Sequence, residues 1–243
     1  MRFVIIAISI IFLGCNTENA PDCLQRAGDL MEVEIGVGAF DRLEINDQFN
    51  VILEQGDEQR VVLEYFDNLI PDIEFELEED LLIFHDNNSC NWVRDYNFPI
   101  LKITHPNITF IRQNGGGLIS SKDTLFYDDL DVISEERSGD FDLTLNCRKF
   151  SVVNNDLTNY YIDGKVERLS IFFASGNGRF EGAELISQDA VFFQRGTNDI
   201  ILQAENSLTG RILGNGNLIF VGTKPTTIDV RVEGRGSLID RTN

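Results

Sequence analysis

Apolar and polar residues alternate along most of this chain with the two-residue period that is typical of β-strands. The alternation stands out in short stretches such as DLDVIS, FDLTL, FSVVN, LSIFFA, AVFFQ, DIILQ and TIDVRV. No stretch sustains the 3.6-residue period of an amphipathic helix over a useful length. The pattern therefore predicts an all-β protein.

Turn-forming corners, most of them containing glycine, return at a nearly constant interval in the second half of the chain. The first strongly apolar residue after each corner serves as an anchor, and successive anchors are 23, 19, 20, 20, 18 and 20 residues apart. Glycines stand two or four positions before most anchors, as in GNGNL at 214–218. The seven anchors are Leu118, Phe141, Tyr160, Phe180, Ile200, Leu218 and Leu238.

A repeat of this length is best explained by a coil of strands. One turn of about 20 residues at ~3.3 Å per residue has a perimeter of ~66 Å, and stacked turns lie ~4.8 Å apart. Glycine suits the corners because it adopts positive φ easily and lets stacked backbones approach closely. We therefore predict a parallel β-helix whose seven anchors form one interior column.

The first half of the chain is rich in strands but less regular. FDRLEI, FNVILE, RVVLEYF, IEFELEEDLLIF and ILKITH each fit a strand. They form either further coils of the same stack or an antiparallel cap that protects its end from open-ended strand pairing. No Pro, Gly or Ser-rich linker separates the halves, so we expect one body.

The N-terminal sequence predicts an export signal. Residues 1–14, MRFVIIAISIIFLG, combine a basic residue with an apolar run that is too short to span a bilayer as a helix. FLGC resembles a bacterial lipobox, in which Cys15 is lipidated and becomes the first mature residue; ordinary cleavage without lipid is the alternative. We predict a signal peptide at 1–14, a tether at 15–35 and a β-helical domain at 36–241. The protein would then be anchored by lipid in the bacterial envelope, at the outer membrane.

The net charge argues against nucleic-acid binding, and the cysteines argue for a disulfide and against a metal site. A net charge of -20 and a pI near 4.3 make nucleic-acid binding improbable, because phosphate backbones are repelled. Cys147 follows the apolar phase of its strand, so we place it in the core. An exported protein keeps disulfides, and we favour a Cys23–Cys90 bridge, although other pairings stay open. No CxxC occurs and the two histidines are isolated, so we expect no metal.

No catalytic arrangement emerges from the repeat. One position after the anchors, Asp142 and Glu181 are separated by a coil bearing Tyr161, with no lysine or arginine in that column. Neither His85 nor His105 belongs to a nucleophile motif. The densest charged patch has no EF-hand spacing and is expected to be a solvated loop; its members are Asp128, Asp129, Asp131, Glu135, Glu136 and Arg137. We predict no enzyme activity, no catalytic residues and no cofactor.

Aromatic residues offer a candidate binding surface. Phe172 and Phe173 are followed one coil later by Phe192 and Phe193. Adjacent strand residues face opposite sides, so one member of each pair should be core and the other exposed. The exposed stripe would bind a glycan or partner protein, or pack beneath another part of the chain. Trp92 either stacks on a sugar or shields the cysteine beside it.

The motifs together resemble a known family. GAFDRLEINDQFNVILEQGDEQRVVLEYFDNLIPDIEFELEEDLLIF resembles the start of the head GIN domain family of auto-transporter adhesins, and GNGRFEG, GNGNLIFVGTKP and EGRGSLI resemble its repeated glycine-pair rungs. CNWVRDY with the preceding APDC is similar to members among Bacteroidetes-type lipoproteins. The resemblance covers residues 36–240. It implies a right-handed β-helical fold, export and no established catalytic residues.

These observations predict a non-enzymatic lipoprotein of the cell envelope that acts as an adhesin or surface-binding module. Its partners would be the membrane, through the lipid anchor, and a glycan or envelope protein. Two alternatives stay open: a polysaccharide-active enzyme on the same fold, and a passive structural or assembly module. The binding residues and oligomeric state are left open by the sequence.

Overall fold

The computed structural model describes residues 27–88, 97–135 and 139–242. Strands β1 to β9 are Leu30–Ile35, Arg42–Ile45, Asn50–Gln55, Arg60–Phe66, Ile73–Glu78, Leu81–Asp86, Ile100–His105, Phe110–Gln113 and Leu118–Ser121. Strands β10 to β17 are Asp129–Ser134, Asp140–Asn154, Asn159–Phe173, Arg179–Gln194, Ile200–Ile212, Leu218–Gly222, Thr227–Val232 and Leu238–Thr242. One turn of 3-10 helix, Ile70–Asp72, precedes β5.

The strands wind into a parallel β-solenoid of about 6 turns with roughly 20 residues per turn. Two walls enclose the core. Wall A runs in the order β5, β6, β2, β8, β10, the second halves of β11 to β14, and β16. Wall B runs in the order β1, β4, β7, β3, β9, the first halves of β11 to β14, β15 and β17. The all-β prediction and the coiled architecture are confirmed.

The interior column of wall B follows the predicted repeat with one correction. Phe141, Tyr160, Phe180 and Ile200 lie in register on successive strands and are fully buried. Leu118 was predicted to begin this column, and that prediction is wrong.

Ile119 is the residue that pairs with Phe141 and is 0% exposed, whereas Leu118 is 37% exposed. The error comes from the run Gly115–Gly117. Three glycines in a row show no apolar–polar alternation, so the sequence does not indicate which face of the strand the next residue occupies, and Leu118 faces outward. The corrected interval from Ile119 to Phe141 is 22 residues.

Each coil has two corners of different sharpness. The glycine corner interrupts the strand, as at 174–178 between β12 and β13. The second corner is a wide bend within one continuous strand, so that β11 to β14 are 13 to 16 residues long. The wide bend does not end these strands, so each of them runs from wall B into wall A.

At some of the sharp corners, close approach of the coil beneath requires glycine. Gly176 has φ of +88°, and a Cβ placed on it would lie 2.1 Å from the carbonyl oxygen of Asp156. Buried amides hold the same corners from inside the solenoid: Gln194 donates to the carbonyl of Asn198 at 2.6 Å and accepts from the backbone of Gly196 at 2.9 Å. Apolar side chains thus fill the core, while buried polar side chains hydrogen-bond the backbone of the corners.

The N-terminal half combines both arrangements that the sequence left open. β2–β3, β6–β7 and β8–β9 form parallel coils, with the β2–β3 coil stacked between the other two. β1, β4 and β5 pair antiparallel and form the outermost strands at this end. β1 begins at Leu30, so the folded body overlaps the tether that was predicted for 15–35. Among the described residues, no helix is long and apolar enough to cross a membrane.

Candidate ligand-binding groove

A groove of about 540 Å³ runs along the solenoid where successive strands pass the wide bend. Its side chains come from the turn before β10 and from β11, β12, β13 and β14. The lining residues are Phe126, Tyr127, Asp128, Asn146, Cys147, Arg148, Lys165, Val166, Glu167, Ile186, Gln188 and Glu205. We call this surface the bend groove. Its volume lies within the range usual for ligand-binding clefts.

Strand register places side chains of different chemistry beside one another in the bend groove. Asn146 is aligned with Lys165, which is aligned with Ile186 on the next strand. Adjacent strands lie ~4.8 Å apart, so the four strands from β11 to β14 extend over ~14 Å. Bulges in the pairing of β12 with β13 and of β13 with β14 fall at this bend, and bulges redirect side chains. The groove is thus an elongated, ladder-like surface.

Most of the polar groups in the bend groove have no partner among the residues that the structure describes. In the described part of the chain, no hydrogen bond or ion pair is formed by the side chains of Lys165, Glu167, Gln188 and Glu205. Arg148 differs, because it is fixed by Asp129 at 2.6 Å. Unpartnered donors and acceptors on rigid strands are available to a ligand that both donates and accepts hydrogen bonds.

The floor of the groove is apolar in character. Cys147 is buried, as predicted, and burial raises the pKa of its thiol to about 12. The thiol therefore stays protonated at neutral pH and acts as a packing group. Tyr127 is buried with no hydrogen-bond partner for its hydroxyl, and burial raises its pKa as well. Beside the floor, Phe126 is 61% exposed and offers an aromatic surface at one end.

The predicted aromatic stripe is present on the outer face of wall A. Phe173 and Phe192 are buried, while Phe172 is 42% exposed and stacks on Phe193 with ring centroids 4.5 Å apart and an interplanar angle of 11°. The prediction that each pair divides between core and surface is confirmed. The exposed ring of Phe172 and the half-buried ring of Phe193 lie face to face, so each covers a face of the other, which reduces the flat surface available to a sugar.

The carboxylates considered for catalysis do not come together. Tyr161 lies between Asp142 and Glu181 in the strand register, so the two carboxylates sit two coils, or ~9.6 Å, apart. Sequence reasoning found no cation in their column, yet Arg179 contacts Glu181 from the same strand and also Asp199 at 3.2 Å. This pairing gives Glu181 a structural role.

The charged patch predicted as a loop is partly strand. Asp129 and Asp131 lie on β10 and pair with Arg148 and Lys149 across the ladder at 2.6 and 3.0 Å. Asp128 lines the bend groove, and Glu135 lies 3.9 Å from Arg112. Glu136 and Arg137 lie outside the described residues. The prediction of a solvated loop missed the strand because the apolar alternation in DLDVIS extends into the charged residues.

The histidines occupy separate places. His105 is buried, its Nε2 lies 2.6 Å from the carbonyl oxygen of Phe40, and burial lowers its pKa. His85 lies 3.7 Å from Asp47. Over 27–88, 97–135 and 139–242, no group of three or more His, Cys, Asp or Glu residues is placed to hold a metal ion. Cys15, Cys23, Cys90 and Trp92 fall outside the described residues, so lipidation and the disulfide stay predictions.

Sequence reasoning missed the bend groove as a site. Its residues stand at ordinary surface positions of the strands, and nothing in their spacing marks them. The available signal was the repeat itself: aligning coils places Asn146 beside Lys165, and Glu167 near Gln188, 19 and 21 residues apart. Which of these positions lies at a concave bend follows only from the path of the backbone.

Comparisons with known proteins agree with the fold. The family model described as "Putative auto-transporter adhesin, head GIN domain" matches residues 39–223. A putative adhesin from Bacteroides fragilis superposes with a TM-score of 0.79 at 21% identity, covering 87% of this chain and 97% of that one. A putative adhesin from Parabacteroides distasonis has a TM-score of 0.69 at 18% identity, covering 88% and 97%.

A further structure from Parabacteroides distasonis is named a putative lipid binding protein. It superposes with a TM-score of 0.67 at 16% identity and covers 88% of this chain and 97% of that one. Among curated proteins, none matches this sequence. At these identities the structures establish a shared fold.

Proposed function

This chain belongs to the family described as putative auto-transporter adhesin, head GIN domain, and from that premise we propose that it is a non-enzymatic binding module of the cell envelope that recognises neutral glycans through the bend groove. The observation that carries the proposal is the ladder of unpartnered polar side chains on rigid, stacked strands. The backbone that carries these groups is already fixed in the sheet, so binding requires no ordering of a loop, and the entropic cost is limited to about 0.5–1.5 kcal/mol for each long side chain that the ligand immobilises.

The chemistry of the bend groove suits a ligand that is rich in hydroxyl groups. Glu167 and Glu205 accept hydrogen bonds, Lys165 donates them, and the amides of Asn146 and Gln188 do both. A sugar hydroxyl donates and accepts at the same time, so it satisfies each kind of group. The mixed charges within the groove favour a neutral glycan, while the net charge of -20 disfavours a polyanion.

The enzyme alternative finds less support. Asp142 and Glu181 are held two coils apart, and Glu181 is occupied by Arg179. Inverting glycosidases hold two carboxyl groups about 6.5–9.5 Å apart on opposite sides of the scissile bond. The ~9.6 Å between Asp142 and Glu181 is at the limit of that range, but the two residues stand in one column on the same face of wall B. Two carboxylates on one face, one of them paired with an arginine, do not flank a bond in this way.

Glycan binding is tested with a glycan array and a matched pair of variants. Glu167→Ala combined with Gln188→Ala removes two groups from the bend groove, and Asp163→Ala removes an exposed carboxylate of the same coil that lies outside it. We expect the double variant to lose about tenfold or more in affinity for a neutral glycan, which corresponds to roughly 1.4 kcal/mol, and Asp163→Ala to bind normally.

Other results would favour the alternatives. Equal glycan binding by both variants would indicate that the glycan binds outside the bend groove. Turnover in a reducing-sugar assay, lost in Asp142→Asn or Glu181→Gln, would indicate the enzyme. A protein partner captured by crosslinking, with no glycan bound, would indicate the assembly module.

We also propose that Cys15 carries the lipid that anchors the protein at the outer membrane. The lipobox-like FLGC and the polar segment after it support the proposal. Metabolic labelling with a radioactive fatty acid tests it: the wild-type chain should be labelled and sediment with membranes, and Cys15→Ser should be unlabelled. Labelling of Cys15→Ser would refute the assignment.

A further inference from the structure

Phe126, at one end of the bend groove, is the most exposed of the large apolar side chains in the described part of the chain, at 61%. Its neighbours in sequence are buried, with Leu125 at 1% and Tyr127 at 3% exposed. These two residues hold the turn against the core while Phe126 points outward. An aromatic ring left in water gives up the apolar burial that stabilises a fold, so Phe126 contributes little to stability where it stands.

The backbone of Phe126 is held by one side chain. The amide of Gln55 accepts a hydrogen bond from the N–H of Phe126 through Oε1 at 2.6 Å, and it donates to the carbonyl oxygen of Phe126 through Nε2 at 2.8 Å. The turn is held again two residues later, because the N–H of Asp128 donates to Oδ1 of Asn107 at 2.9 Å. The exposed ring therefore stands on a fixed backbone, although it belongs to a turn.

Backbone pairing places Phe126 at the head of the ladder of side chains that line the groove. Leu125 forms a parallel bridge with Leu145, and the N–H of Asn146 donates to the carbonyl oxygen of Leu125 at 2.8 Å. Phe126 is thus aligned with Asn146, one coil earlier. Four steps of ~4.8 Å separate its coil from that of Glu205, so the ladder is ~19 Å long and can contact several sugar rings.

Groups that form hydrogen bonds border the ring. Asn146, Asp128 and Arg148 line the same end of the groove, where the N–H of Arg148 donates to the carbonyl oxygen of Asp128 at 2.8 Å. A protein interface covers ~800 Å² on each partner around an apolar centre, whereas Phe126 is a single ring among polar side chains. A pyranose fits this arrangement, because the C–H groups of one face pack on the aromatic ring and the hydroxyls reach the polar groups.

Sugars whose ring hydroxyls are all equatorial suit a stacking ring best. In this gluco configuration both faces of the pyranose present only C–H groups, and the hydroxyls lie around the rim. In mannose the hydroxyl at C2 is axial and projects from one face. Stacking that face on Phe126 would remove the hydroxyl from water without giving it a hydrogen-bond partner, which is unfavourable. The ring thus discriminates between the two configurations.

We propose that Phe126 is the stacking platform of the bend groove and that it selects glycans built from sugars of the gluco configuration. The inference rests on the proposed function, because it names the class of neutral glycan that the groove takes. One sugar ring stacks on Phe126, and the polar side chains of the later coils bind the hydroxyls of the following sugars. Gln55 is a positioning residue that fixes the platform.

Isothermal titration calorimetry with cellohexaose and β-1,4-linked mannohexaose tests the platform, because the two ligands share length and linkage and differ in configuration at C2. We expect the wild type to prefer cellohexaose by about fivefold or more. Phe126→Ala should lose about tenfold or more in affinity for cellohexaose and should lose the preference. Phe126→Tyr keeps the ring and should retain both. Leu157→Ala removes another exposed apolar side chain, which lies outside the groove, and should bind as the wild type does.

A tryptophan at the platform reports stacking directly. Phe126→Trp is combined with Trp92→Phe, so that the platform carries the only tryptophan of the chain. Cellohexaose should shift the emission to shorter wavelength, because a stacked sugar removes water from the indole ring. Adding Gln55→Ala should lower the fluorescence anisotropy of this tryptophan and weaken cellohexaose binding, while circular dichroism shows all variants folded. An unchanged anisotropy would refute the positioning role of Gln55.

The results separate the platform from the proposed function. Normal cellohexaose affinity in Phe126→Ala, with binding lost when Glu167 and Gln188 are both replaced by alanine, would refute the platform and leave the bend groove as the glycan site. Equal wild-type affinity for the two ligands, or binding only of other glycans on the array, would refute selection of the gluco configuration. A wild type that binds no glycan would overturn the proposed function and the platform together.

Discussion

Replacing Gly176 by alanine should destabilise the solenoid far more than replacing Gly196, although the two glycines occupy the same position of successive coils. Each stands four residues before its anchor, Phe180 or Ile200. Gly176 has φ of +88°, and an added Cβ would lie 2.1 Å from the carbonyl oxygen of Asp156. Gly196 has no positive φ, and its nearest contact would be the side-chain oxygen of Gln194 at 3.2 Å.

The expected costs follow from these distances. An alanine held at positive φ costs roughly 1–3 kcal/mol. To make room for the methyl group, the carbonyl of Asp156 must move away from the backbone N–H of Gly178, which donates to it at 3.1 Å; a weakened hydrogen bond adds about 1 kcal/mol. We therefore expect Gly176→Ala to lower the free energy of unfolding by about 2–4 kcal/mol. At Gly196, a small contact strain is offset by about 0.4–1 kcal/mol from the stiffer unfolded chain.

Urea unfolding followed by far-ultraviolet circular dichroism measures both variants on the same footing. The Gly196→Ala midpoint should lie near that of the wild type and the Gly176→Ala midpoint well below it. Equal losses would show that the corner glycines are needed for a property shared by the repeat position, rather than for the backbone conformation and close approach at Gly176. Normal stability of Gly176→Ala would contradict the geometry of that corner.

The remaining predictions concern buried polar groups. Tyr127→Phe should leave the free energy of unfolding unchanged or raise it, because the hydroxyl it removes has no partner among the described residues. Tyr160→Phe should lower the free energy of unfolding by about 1 kcal/mol, because it removes a hydrogen bond of 3.2 Å to Asn154. Thermal unfolding of the two variants distinguishes these outcomes. The wild type should lose stability as pH falls below about 6.5, and His105→Asn should reduce that loss when unfolding is measured between pH 7 and 5.5. Burial lowers the folded pKa of His105, so below the unfolded value of 6.5 the unfolded chain binds more protons. The backbone N–H of Asn107 also donates to Nδ1 at 3.2 Å, which requires an unprotonated nitrogen; an equal pH dependence in both proteins would exclude His105 as its source.

The regular half of the fold could be predicted because the repeat depends on residues that are close together in the sequence. Strand alternation, tight corners and apolar anchors recur with the coil, and each requirement is satisfied by a residue type at a fixed position. Phe141, Tyr160 and Phe180 fell in one column as predicted. Leu118 did not, because three consecutive glycines leave the phase ambiguous by one residue, and in a strand a shift of one reverses the face.

In the N-terminal half, the local sequence pattern does not distinguish strands of the antiparallel cap from strands of the parallel coils. An antiparallel strand and a parallel coil strand have the same alternation, so β4 and β7 are alike in sequence pattern although one belongs to the cap and the other to a coil. The insertion of the β2–β3 coil between two later ones depends on contacts between residues far apart in the chain.

By itself, the sequence determined that this protein is built from strands and that its second half is a stack of coils, because each of these depends on neighbouring residues or on a fixed period. The export signal at 1–14 stays a prediction. Tertiary structure alone decided where the surface becomes concave and which edge is left open. The bend groove exists because Asn146, Lys165 and Glu167 reach the same curve of the backbone, and β16 lies at the edge of wall A because β14 is the one described strand that it pairs with. Both properties depend on the path of the whole chain through space, so they cannot be recognised in any single stretch of the sequence.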